Sequence, residues 1–102
     1  MLNISRAARD DLRSLFWHGI DMFGPVQADR YIEGLLETLD RIADFPHIGI
    51  QRPEFGPTVR VHAHRSHVIV YRTEESGDVF IQRIRHGLED WQARPGLDDD
   101  QV

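Results

Sequence analysis

The chain has 102 residues and a mass of 11.8 kDa, which is enough for one compact domain and too little for two. With 40% apolar and 28% charged residues it reads as an ordinary globular sequence, and the absence of cysteine excludes disulfides, thiolate zinc sites and a cysteine nucleophile. The net charge of −5 is carried by 17 acids against 12 arginines, with no lysine at all, so tight sequence-independent binding to nucleic acid is not expected.

Leu2, Asn3 and Ile4 form a short, largely apolar run, expected to be a strand. Ser5 suits the helix N-cap that follows, because its hydroxyl can accept from an otherwise unpaired backbone N–H. Ala8, Leu12, Leu15, Phe16, Gly19 and Phe23 recur at helical spacing and predict a helix of about 17 residues. Gly24-Pro25 ends it, glycine suiting the position after a helix and proline the first turn of the next. Tyr31, Leu35, Leu39 and Ile42 then define a second helical core stripe, widened by Ile32, Leu36 and Ala43, with five acids from Asp29 to Asp44 on the opposite side. Pro46 stops this helix, since it lacks an N–H and disfavours helical geometry at Phe45. So short a break between the two helices predicts an antiparallel helical hairpin.

From residue 47 the period changes. Residues 47–58 hold Gly49, Pro53, Gly56 and Pro57 and read as a loop. Val59 to His64 alternates apolar and polar side chains as a half-buried strand does. Arg65-Ser66 is a tight turn, and His67 to Thr73 is a β-branched and aromatic strand. Residues 74–78 make a hairpin loop with Gly77 available for positive φ, and residues 79–85 form the last strand. Leu88 to Trp91 fits a helical turn. The element order is therefore β-α-α-β-β-β, an α+β domain in which an antiparallel meander carries the helical hairpin on one face. Residues 1–91 are expected to form the domain and residues 92–102 a frayed acidic tail. The middle of the three strands is apolar on both sides, Ile69 and Tyr71 against Val68 and Val70, while strict alternation sets Val79 and Ile81 against Phe80 and Ile84. Such a sheet needs two covers. The hairpin supplies one; a partner, the C-terminal segment, or both must supply the other.

No apolar run approaches the ~20 residues of a membrane span, and the start of the chain has no signal-peptide pattern, so a cytoplasmic protein is expected. Charge is uneven along the sequence. Residues 47–87 hold six arginines, four acids and five of the six histidines, whereas residues 25–46 and 88–102 are acidic. Cleaving RNA through its own 2′-hydroxyl needs a general base, a general acid and cations on the crowded phosphate. Arg60, His62 and His64 share one strand face, and Arg83, Arg85 and His86 lie toward the end of the last strand. The plainer reading is that these side chains solvate a sheet face and pair with acids. His62 and His64, with His67 across the turn, lack a dictated third or fourth ligand, so neither a metal nor a cofactor is expected.

An ordered set of residues resembles the ParE toxins of the RelE/ParE superfamily of bacterial toxin–antitoxin systems. It comprises Ala8, Asp11-Leu12, Gly24, Ala28, Tyr31, Leu39, Pro46 with Gly49, Arg52-Pro53-Glu54-Phe55, Arg60, His67-Val68-Ile69-Val70-Tyr71, Ile81 with Arg83, and His86 with Asp90. The resemblance covers about residues 2–91. It implies a toxin neutralised by a tightly bound ParD-like antitoxin and directed, as ParE toxins are generally taken to be, at DNA gyrase. It implies binding rather than bond-making, with Trp17, Arg52, Arg60, Tyr71, Arg72, Arg83 and Trp91 as candidate partner contacts. The alternatives are a ribosome-dependent mRNA endonuclease of the RelE branch, using Arg60, Arg83 and His86, or a decayed toxin that only binds its antitoxin. The two branches share a fold, so fold does not choose between them. No tyrosine or histidine follows Gly87 to complete the C-terminal catalytic set of the RelE branch.

Overall fold

A computed structural model describes residues 1–102. The first strand, β1 (Leu2–Ile4), leads into α1 (Arg6–Phe23) and α2 (Pro25–Asp44). The second half supplies β2 (Ile50–Gln51), a one-turn 3₁₀ helix at Pro53–Phe55, β3 (Val59–His64), β4 (His67–Thr73) and β5 (Val79–His86). The sheet order is β1-β5-β4-β3-β2. As expected, β3, β4 and β5 form an antiparallel meander; β1 runs parallel to β5 at one edge, and β2 pairs with β3 at the other.

The local signals act as expected in the helices. Ser5 caps α1: its Oγ accepts from the Ala8 N–H at 2.9 Å and donates to the Gln82 carbonyl at 2.8 Å, tying the cap to β5. Gly24 takes φ +86°, and Pro25 opens α2. The hairpin closes tightly at Gly19, where an added Cβ would stand 3.2 Å from that of Ala28. Ala8, Leu35, Leu39 and Ile42 pack on Ile69, Tyr71, Val79, Ile81 and Ile84, the core between the helices and the sheet.

Two elements differ from expectation in the loop and the last turn. The 47–58 loop contains β2, because Ile50 and Gln51 find partners in Val61 and Arg60, and a 3₁₀ turn begins at Pro53. Residues 88–91 form hydrogen-bonded turns rather than a helical segment.

The third difference alters side-chain geometry. The register between β4 and β5 shifts at Val70/Tyr71: Tyr71 pairs with Ile81, but Val70 pairs with Arg83. Gln82 is the extra residue of a β-bulge, and a bulge reverses side-chain parity along a strand. Ile84 therefore joins Val79 and Ile81 on the helix side instead of opposing them, and His86 moves to that side with it.

The second cover of the sheet comes from the chain itself. Val59, Val70 and Trp91 form a smaller core, with Phe55, Val61, Val68 and Leu97 packed around it. Of the three covers considered above, the C-terminal segment is the one the structure supplies. Residues 92–102, expected to fray, have no regular secondary structure, yet their backbone and side chains reach β5 and α1: Gln101 accepts from the Arg6 N–H at 2.7 Å, and Asp99 Oδ2 from the Ala7 N–H at 3.0 Å. No helix is long and apolar enough to cross a membrane.

Candidate functional site

The expected contact residues fall into three groups. On the outer face of the sheet, Arg52, Arg72 and Arg83 of that set, with Arg85 beside them, hold the C-terminal segment. Arg72 lies 4.3 Å from the centre of the Phe80 ring and pairs with Glu74 at 3.1 Å and Asp100 at 2.7 Å. Arg85 binds Glu89 at 2.8 Å and reaches the Arg94 and Pro95 carbonyls. Arg52 packs against both Phe55 and Trp91 while bonding Glu54 at 3.1 Å and Gln92 at 2.9 Å. Arg83 reaches round the β5 edge to Asp11 of α1 with two bonds of 2.8 Å and also touches the Gly96 carbonyl. The carboxylate lifts the Arg83 pKa further, so this cation is permanent.

The second group is internal. Tyr71 is wholly buried; its hydroxyl accepts from the Gly49 N–H at 2.9 Å and donates to the Pro46 carbonyl at 2.8 Å. Beside it, Arg60 Nη1 donates to the carbonyls of Gly49 at 2.8 Å and His47 at 3.3 Å. Gly49 is required there, since a Cβ would stand 2.6 Å from the Tyr71 oxygen. Trp91 is 4% exposed. Tyr71 and Trp91 thus serve as internal packing in this chain and not as surface anchors. Trp17, the third case, is 61% exposed on α1, edge-on to Phe16.

The set Arg60, Arg83 and His86 does not converge. Arg60 is bound to the 47–49 backbone, and its partner across β4 is Tyr71. Arg83 is engaged by α1 around the sheet edge, and His86 stands at the far end of β5 on the helix side.

His86 belongs to an arrangement that sequence reasoning missed. His64, His67 and His86 are directly paired across β3, β4 and β5 and form one rung at the end of the sheet. The rings of His67 and His86 meet edge to face at 5.1 Å between centres. From α2, Tyr31 and Thr38 reach down to this rung. Thr38 Oγ1 donates to the Gly34 carbonyl at 3.1 Å, so its 2.8 Å contact with His64 Nδ1 makes that nitrogen the donor. The Tyr31 hydroxyl lies 2.6 Å from His67 Nδ1 and donates to the His64 carbonyl at 3.4 Å; the His67 tautomer sets which partner gives the proton in the shorter contact. Tyr31, expected to be plain core, is therefore half-buried at the lip of a cleft. Burial holds the pKa values of His64 and His67 below the ordinary histidine value, reinforced for His64 by Arg65 and Arg41, and for His67 by His86 and His64. Burial raises that of Tyr31. The imidazoles are not grouped so as to hold a metal ion.

The sequence signal for this rung was half present. The two-residue turn at Arg65-Ser66 makes His64 face His67 in any hairpin. His86 could not be added, because strict alternation from Val79 puts it on the other face; only the Gln82 bulge returns it.

A sequence model of the family described as "ParE toxin of type II toxin-antitoxin system, parDE" matches residues 2–91. The chain is 31% identical over 83 residues to the protein named Toxin ParE1 in two strains of Mycobacterium tuberculosis, CDC 1551 / Oshkosh and H37Rv, covering 81% of this chain and 85% of the relative. A solved chain of the "Chromosomal ParDE TA system from P. aeruginosa" superposes with a TM-score of 0.72 at 23% identity, covering 83% of this chain and 92% of that one, and so shares the fold.

Proposed function

The chain belongs to the ParE toxin family of type II toxin–antitoxin systems, and from that premise we propose that it is a cytoplasmic toxin that inhibits DNA gyrase by binding and is neutralised by a ParD-like antitoxin. The observation that carries binding over bond-making is the engagement of Arg60 and Arg83. A phosphodiester-cleaving site needs cations free to meet the phosphate. Here one guanidinium holds two backbone carbonyls and the other a carboxylate.

Trp17 is the contact the geometry favours for the partner, because it alone among the seven candidates presents a mostly exposed side chain, and tryptophan anchors commonly dominate interface energetics. Arg52 and Arg72, whose side chains are about a quarter exposed, would frame a second contact on the outer face of the sheet.

Induction of the protein in a bacterial host tests the reading. Growth arrest with relaxed plasmid DNA and unimpaired protein synthesis, relieved by co-expression of the cognate antitoxin, is the expected result. A Trp17→Ala variant should fold normally and lose at least one of the two interactions. Arrest of translation with normal supercoiling would instead favour the endonuclease reading.

A further inference from the structure

The cleft above the histidine rung is an open groove of about 1180 Å³, of mixed polar and apolar lining, between the helical hairpin and the β3–β4 turn. Three arginines line it. Arg72, Arg83 and Arg85 are paired with acids elsewhere, whereas Arg30, Arg41 and Arg65, which line the cleft, form no ion pair. The acids lining it are Glu37 and Asp11, and Asp11 is already committed to Arg83. A chain with net charge −5 thus lines one concavity with three guanidinium groups and two carboxylates, one of them already committed to Arg83.

The rung beneath adds imidazoles held in place. Thr38 and Tyr31 fix His64 and His67 through their Nδ1 atoms, which restrains both rings before any ligand arrives. At the hairpin tip the cleft wall is apolar: Leu15, Met22 and Phe23 contribute to it, the last two being 60% and 65% exposed. One end of the cavity therefore suits a multivalent oxyanion and the other an apolar or aromatic body, and the volume suffices for both.

We propose that this cleft binds a nucleotide-sized phosphate monoester, with the phosphate held by Arg41 and Arg65 beside the histidine rung and the base against the hairpin tip. The proposal does not depend on the gyrase or antitoxin reading.

The imidazole resonances of His64, His67 and His86 provide a direct report by NMR on the full chain. Adenosine monophosphate should move all three, inorganic phosphate should move them more weakly, and adenosine should leave them in place. An Arg41→Ala/Arg65→Ala variant should weaken the monophosphate about tenfold or more, since each lost guanidinium removes charge-assisted bonds. Its urea unfolding curve should be unchanged, because neither arginine has a partner to orphan. A short RNA carrying a 5′-phosphate, bound more tightly than the mononucleotide, would assign the phosphate to a strand end; equal affinity would assign it to a free nucleotide. The proposal is overturned if neither phosphate nor monophosphate shifts the rung at millimolar concentration. It is equally overturned if adenosine acts as well as its phosphate, or if the double arginine variant binds as tightly as the parent.

Discussion

Asp11 and Arg83, 72 residues apart in sequence, face each other fork to fork: Arg83 Nε donates to Oδ2 and Nη2 to Oδ1, both at 2.8 Å. The same Oδ2 accepts from the Ile84 N–H at 2.9 Å, at the point where β1 has ended and the β5 edge would otherwise be open. One carboxylate thus closes a sheet edge, anchors α1 and fixes the guanidinium that also meets the Gly96 carbonyl. The pair is mostly shielded from water, with side-chain exposures of 22% and 16%, so it is worth more than a surface ion pair.

Removing either partner should cost about 1–3 kcal/mol, Asp11→Ala more than Arg83→Ala because it also strands the Ile84 N–H. Urea unfolding of the two single variants and the double variant checks this. The double variant should be less destabilised than the sum of the singles, since the second removal finds the interaction already gone.

The 46–49 turn should be equally sensitive. Tyr71→Phe leaves the Gly49 N–H and the Pro46 carbonyl without their partner and should cost about 1–3 kcal/mol. Gly49→Ala drives a methyl group into the Tyr71 oxygen and should cost a similar amount by overpacking. Thermal or urea denaturation reads both. A Gly49→Ala variant as stable as the parent would mean that the turn does not approach Tyr71 this closely.

Trp91 joins the outer face of the sheet to the C-terminal segment. Trp91→Ala should cost about 3 kcal/mol or more through the cavity left among Val59, Val70 and Phe55. It should also loosen the segment that follows. Amide exchange at Arg6, whose N–H is bonded to the Gln101 carbonyl, should rise well beyond the change at Arg9, which is bonded within α1 to Ser5.

The histidines set the pH dependence of stability. Folding lowers the pKa values of His62, His64 and His67, mainly by burial. Their contribution is complete above the unfolded value of about 6.5, where both states are neutral. It falls as pH drops below that value, because the unfolded chain takes up protons first. The urea midpoint should therefore decrease from pH 7.5 to pH 5.5, a range that lies above the titration of Asp78 and Glu89, whose pKa values are held low by their cationic partners. A His64→Gln/His67→Gln variant should show a smaller decrease over the same interval.

The legible parts of the structure were those governed by local chemistry. Ser5, Gly24-Pro25 and Pro46 set the helix boundaries, and the alternation in β3 and β4 placed their faces. The parity change at Gln82 was not legible, because a bulge depends on how β5 meets β4 and β1 and not on the residue itself; Gln82 has a side chain ordinary for a strand. Missing that bulge put Ile84 on the wrong face and concealed the histidine rung. Arg60 and Tyr71 stood out in the sequence, but their role in clamping the 46–49 turn depends on contacts across 11 to 25 residues. The plainer reading of the arginine-rich half, that its cations pair with acids, holds for Arg52, Arg72, Arg83 and Arg85. The acids that neutralise much of it come from α1, from loops near the strands and from the C-terminal segment, and sequence charge counts do not show such pairings.

Titration of purified protein into a fixed amount of gyrase, with in-vitro translation assayed alongside, tests the proposed activity most directly. A binding inhibitor should abolish supercoiling with a break near stoichiometric toxin and leave translation intact. Loss of translation at trace concentrations, with cleaved mRNA and normal supercoiling, would contradict it.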